Sequence, residues 1–275
     1  SGTMEAIQTF LPNRVSSNLD LITNVAGTCL GALAGMLLSR TFLEQSRLLE
    51  LRQRWFYEDA GRGLIVVGLW PLAQIYPQSY LFGHGQFMPI LSDWLSQLLD
   101  TPVDLVTLLR RDMEFSVQEY WLSETIITAC GLTGALLTAS CLLRKQAPRP
   151  VLLLILLGAA LAVKALANGL FFAPENAFSW LTPGARGGLL VGAMMTSGLV
   201  FAPHGVQRRL AVVSLLASFL AVNLVPTNPY FVATLQAWIQ GKFLNFNGAA
   251  HFLSLFWQFF ALWFLWHPAH RLKRS

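Results

Sequence analysis

Long apolar runs separated by short polar ones dominate this chain. The runs at 19–38, 63–82, 122–143, 150–172, 186–202, 209–225 and 249–266 each come close to the roughly 20 residues that carry a helix across a bilayer. Pro148, Pro150, Pro174, Pro183, Pro203, Pro226, Pro229 and Pro268 fall between or beside these runs, where helices stop. Pro71 and Pro77 fall inside 63–82 and predict a kinked span, which packed membrane helices tolerate. Residues 39–62 alternate basic and acidic side chains around Leu and Trp, the pattern of an amphipathic helix lying on a membrane surface. The stretch 83–121 is amphipathic and too polar to span, and predicts two short interfacial helices. No period-two pattern marks a strand. The expected fold is all-α: a polytopic transmembrane bundle of about seven spans with interfacial helices.

Composition agrees with this reading. Charged residues make up 12% of the chain, against about 25% in a typical soluble domain. The net charge of +5 is therefore not a nucleic-acid footprint; it follows from where the cations sit. Thirteen of the 19 Lys and Arg residues fall in the 39–62 link, at 144–150, at 203–209 and in the C-terminal tail. Alternating spans place all four segments on one side, and the richer side is expected to be cytoplasmic. The C-terminus would then lie inside, with residues 1–18, 83–121, 173–185 and 226–248 outside. Cys29, Cys130 and Cys141 lie within apolar runs and read as small packing residues, with no metal-ligand spacing.

The most informative stretch is Glu5 to Leu38. Glu5, Gln8, Arg14, Asp20 and Asn24 crowd the start, and Asp20 and Asn24 are one helical turn apart. Gly27, Gly31 and Gly35 continue on nearly the same face, a stripe that lets a neighbouring helix approach backbone to backbone. Asp20 also suits the first turn of a helix capped by Ser17 or Asn18, while Asn24 lies deeper and needs a partner.

The order Glu5-x-x-Gln8, Arg14 after a proline, then Asp20-x-x-x-Asn24-x-x-Gly27-x-x-x-Gly31 resembles the second half of the VanZ-like family of bacterial membrane proteins. The likeness covers about the first 38 residues, with a looser one beyond to longer members carrying extra C-terminal spans. It implies a domain whose second half is 1–38, a cytoplasmic link at 39–62 and a C-terminal helical region at 63–275. It also implies an earlier half with two further spans and an outer Asp-Lys-x-x-His element, so that Ser1 falls inside the domain. The founding member of the family is associated with resistance to a glycopeptide antibiotic. The resemblance thus implies a bacterial inner-membrane protein whose outward polar cluster binds or acts on envelope lipid or a lipid-linked wall precursor, with no cofactor. In that role Arg14 would hold phosphate or carboxylate, and Asp20 or Glu5 would act as a base. The alternative is a transporter or scaffold in which the cluster only locks helices together. Whether the protein is an enzyme stays open, and its partners are membrane lipids.

Lys164, deep in the 150–172 run, and Asn168, one turn further on, form a second candidate pair. A lysine at that depth is costly unless it snorkels, reaches water or pairs with a carboxylate such as Glu124. Glu124 itself reads as a helix-dipole residue near the start of its span. His84 lacks the companions of a metal site, and His251 reads as an interfacial packing residue.

Overall fold

The computed structural model describes residues 29, 33, 47–110, 115–228, 231–233 and 244–267. The chain divides into two compact units, 1–56 and 57–275. In the first, α1 (Arg47–Trp55) carries Glu50 in its first turn and Arg52 and Arg54 in its last, matching the helix dipole at both ends. It falls within the amphipathic 39–62 link. Glu5, Gln8, Arg14, Asp20, Asn24, Gly27, Gly31 and Gly35 all lie outside the described residues.

The second unit is all-helical in its regular structure, with no strand among the described residues. Its helices are α2 (Gly61–Leu72), α3 (Met88–Leu99), α4 (Leu105–Arg110), α5 (Val117–Ser140), α6 (Arg149–Phe171), α7 (Pro183–Leu199), α8 (His204–Leu224) and α9 (Leu244–Trp266). Among the described residues, four helices are long and apolar enough to cross a membrane: α5, α6, α8 and the Gly248–Trp266 part of α9. The expected runs at 63–82 and 186–202 form the shorter helices α2 and α7. The 83–121 stretch holds α3 and α4.

Helix α5 is central, packed against α7 along one side and α8 along another. Every residue from Gly131 to Ser140 is buried. Small side chains make that possible. A Cβ on Gly134 would lie 2.7 Å from Leu215 of α8, and one on Gly188 would lie 2.4 Å from Thr128 of α5. Gly184, Gly188 and Gly192 thus form a close-approach stripe on α7, the device expected of the Gly27–Gly35 run. Helix α6 is peripheral. It buries one stripe, with Leu153, Ala160, Lys164, Ala167, Asn168 and Phe171, and exposes Leu154, Ile155, Leu166 and Leu170.

The main departure from expectation is at 63–82. The helix does not bend at Pro71 and run on; it ends at Leu72, and residues 73–87 follow an irregular path. Pro77 lacks an N–H, and Phe82 (φ 59°) and Gly85 (φ 76°) take left-handed backbone that no helix continues through. Yet this segment is buried. Tyr80, Leu81, Phe82 and His84 are each at most 2% exposed. Irregular backbone within a bundle is tolerated only where protein satisfies its polar groups. Three helices do so here. Thr128 of α5 donates to the Leu81 carbonyl (3.1 Å), Asn223 of α8 donates to the Gly85 carbonyl (2.8 Å), and Gly85 N–H donates to the Ser254 carbonyl of α9 (3.2 Å). Asn223 Oδ1 also accepts from the N–H groups of Phe87 and Met88, fixing the start of α3.

Candidate functional site

Helix α5 opens with a capping box: Ser116 Oγ accepts from Glu119 N–H, and Glu119 Oε2 accepts from Ser116 N–H at 2.7 Å. The dipole role expected of Glu124 therefore belongs to Glu119. Glu124 sits more than a turn deeper, 3% exposed, and faces the N-terminus of a different helix, α7. A Cβ on Gly184 would come within 2.4 Å of Glu124 Oε2, so only glycine lets the carboxylate lie against the first turn of α7. Thr182, the N-cap of α7, and the Ala185 N–H are its electrostatic neighbours there. Asn228 Nδ2 donates to Glu124 Oε1 at 3.2 Å.

Lys164 reaches the same place from α6. It is 1% exposed, and it lines a 30 Å³ cavity with Glu124, Asn168, Ser179, Thr182 and Asn228. The irregular segment contributes Gln78 and Ser79 to the wall. Among the described residues, no hydrogen bond or ion pair reaches the Lys164 ammonium; the ion pair found there, Arg144 with Glu58, is elsewhere. Lys164 thus neither snorkels to the surface nor pairs directly with Glu124. Asn168, one turn along, donates to Ser179 Oγ at 3.3 Å. The cavity volume accommodates about two waters. A carboxylate and an ammonium facing a common small space, without touching, can grip a group that carries charge or hydrogen-bonding atoms of both kinds.

Beneath the cavity the irregular segment forms a polar seam. Gln74 Nε2 lies 2.8 Å from His84 Nε2, and His84 Nδ1 lies 3.1 Å from the Phe82 carbonyl. His84 is wedged against Trp257 inside the bundle (ring centroids 5.1 Å apart). At the opposite ends of the same helices, Arg149 donates to the Val200 and Leu143 carbonyls, tying the ends of α7 and α5 to the start of α6.

Of the candidates read from sequence, the structure brings Lys164 and Asn168 together and adds Glu124 to them. Asn228, Thr182 and Ser179 were not expected. Their signal was weak: polar residues in short turns next to Pro183, Pro226 and Pro229 read as punctuation. Among the described residues, no three His, Cys, Asp or Glu side chains gather as a metal site. The chain matches no family model, no curated protein and no solved structure.

Proposed function

We propose that this chain is a multi-pass bacterial inner-membrane protein of the VanZ-like type that binds the polar head of an envelope lipid or lipid-linked wall precursor. Lys164 attracts its phosphate across the water-sized cavity, and Glu124 with Asn228 orients its hydroxyl or amine groups at the cavity mouth. The observation that carries this reading is the buried Lys164 ammonium, which faces the Glu124 cavity without a protein partner among the described residues. A charge held there at a cost of a few kcal/mol is a functional site by default. Counting 19–38 and the shorter helices α2 and α7 with the four long helices gives seven spans. The distribution of Lys and Arg then puts the C-terminus in the cytoplasm and the Glu124 end of α5 outside. A role in glycopeptide resistance follows from the family resemblance.

The test uses purified protein in nanodiscs and undecaprenyl phosphate as the probe. Binding should weaken at least tenfold in Lys164→Met, while the variant inserts and melts as a folded protein. Unchanged binding in that variant removes Lys164 from the site. The second reading is a transporter. It is favoured by the depth of Lys164 in a spanning helix, and it requires solute uptake into proteoliposomes that Lys164→Met abolishes.

A further inference from the structure

A second and larger opening lies beside the Glu124–Lys164 cavity. It is a 380 Å³ cleft between the irregular segment, the first turn of α3 and the start of α9. That volume falls in the range of small-molecule sites, about 300–1,000 Å³. Pro77, Gln78, Ser79 and Phe231 line both spaces, so the cleft and the cavity share a wall. Three features of the cleft point to one ligand chemistry. Tyr76 and His251 stack inside it, ring centroids 4.2 Å apart and planes 21° off parallel, which presents an electron-rich aromatic edge and face. Asp93, on the first turns of α3, is the one carboxylate among the described lining residues, and none of those residues is a Lys or Arg. Its carboxylate has no hydrogen-bond or ion-pair partner among the described residues, and it is exposed at the rim. Gln78, 8% exposed, donates through Nε2 to Ser254 Oγ (2.9 Å) and to the Ala73 carbonyl (3.0 Å), which leaves its Oε1 an acceptor without a donor.

A lone carboxylate, aromatic rings and an unused carbonyl oxygen all favour a positively charged donor. We infer that the Tyr76–His251–Asp93 cleft binds an ammonium group, either that of a small free amine or that of an aminophospholipid headgroup. The ring faces and Asp93 carboxylate hold the charge, and the groups near Gln78 accept its N–H bonds where it has them. The cleft requires nothing of Lys164, and its ligand is separate from the one assigned to the Glu124 cavity.

The experiment has two arms on the purified full chain. Equilibrium dialysis with radiolabelled choline and ethanolamine, in detergent, tests the free amine, with the neutral isostere 3,3-dimethylbutanol as competitor. Native mass spectrometry from nanodiscs of equal phosphatidylethanolamine and phosphatidylglycerol tests the lipid. Saturable amine binding identifies a free-amine site; retained phosphatidylethanolamine identifies a headgroup site. Either result should weaken at least tenfold in Asp93→Asn, a change at an exposed position that leaves the fold intact. Tyr76→Phe should bind like the parent and Tyr76→Leu severalfold more weakly. Binding in neither arm, equal binding by Asp93→Asn, or competition by dimethylbutanol as strong as that of unlabelled choline would overturn the assignment.

Discussion

Replacing Lys164 by Met separates a binding site from a structural lock, because the two assign opposite signs to the change in stability. Lys164 lies on the buried stripe of α6, and no described carboxylate comes within ion-pair distance of it. On insertion scales a lysine at the centre of a membrane helix costs about 2.5–3.5 kcal/mol. Methionine has nearly the same length, fills the stem's path beside Ala160, Ala167 and Phe171, and carries no charge. The fold should therefore gain about 2 kcal/mol, somewhat less than the full cost because Glu124 across the cavity already attracts the ammonium. For a unit of this size that corresponds to a rise of about 4–8 °C in melting temperature. The assay is thermal unfolding of detergent-solubilised parent and variant, followed by tryptophan fluorescence or by loss of the monomer peak in size-exclusion chromatography. A melting temperature that falls would mean that the ammonium holds α6 to its neighbours. Lys164 would then be part of the bundle's structure, and the binding site would have to be sought elsewhere.

Three further outcomes follow from the packing and the hydrogen bonding of this unit. Gly188→Leu forces a side chain into space where even a Cβ would come within 2.9 Å of the Thr125 carbonyl; it should destabilise the α5–α7 contact by about 1–3 kcal/mol or block folding, as thermal melting would show. Asn223→Ala strips partners from the Phe87 and Met88 N–H groups and from the Gly85 carbonyl, so the 86–110 stretch should become sensitive to limited proteolysis, with a loss of about 2–4 kcal/mol. His84→Leu removes the ring nitrogen that Gln74 Nε2 meets at 2.8 Å and leaves a buried amide one partner short, so it should lower stability by about 1–3 kcal/mol in thermal melting.

Sequence pattern disclosed the helices whose apolar content exceeds what packing alone needs. The α5, α6, α8 and α9 runs stood out because lipid-facing and buried positions are both apolar, and prolines marked their ends. Lys164 and Asn168 stood out because charge and amide are rare inside such runs. The segment 73–87 was hidden for the same reason. Buried in protein, its Ile75, Tyr80, Leu81 and Phe82 are as apolar as a lipid-facing helix, and hydropathy cannot tell the two apart. The polar residues that break the pattern, Gln74, Gln78 and His84, could be read as the end of a span. Glu124 was ambiguous because spacing places it near a helix start, while the neighbour that approaches it, Gly184, is 60 residues away in the chain. The Gly184–Gly188–Gly192 stripe was legible in principle, since it has the spacing already recognised at Gly27, Gly31 and Gly35.

The path of residues 73–87 also constrains how the protein is made. Partners for its exposed amides and carbonyls, Thr128, Asn223 and Ser254, leave the ribosome long after the segment itself, the last of them some 170 residues later. Until α9 arrives, these backbone groups have no place in hydrocarbon and must stay hydrated at the membrane edge. Completion of this unit is therefore a late, post-insertion event governed by its final helix, and a chain halted before Ser254 would display an unsealed polar flap to the cell's quality-control proteases.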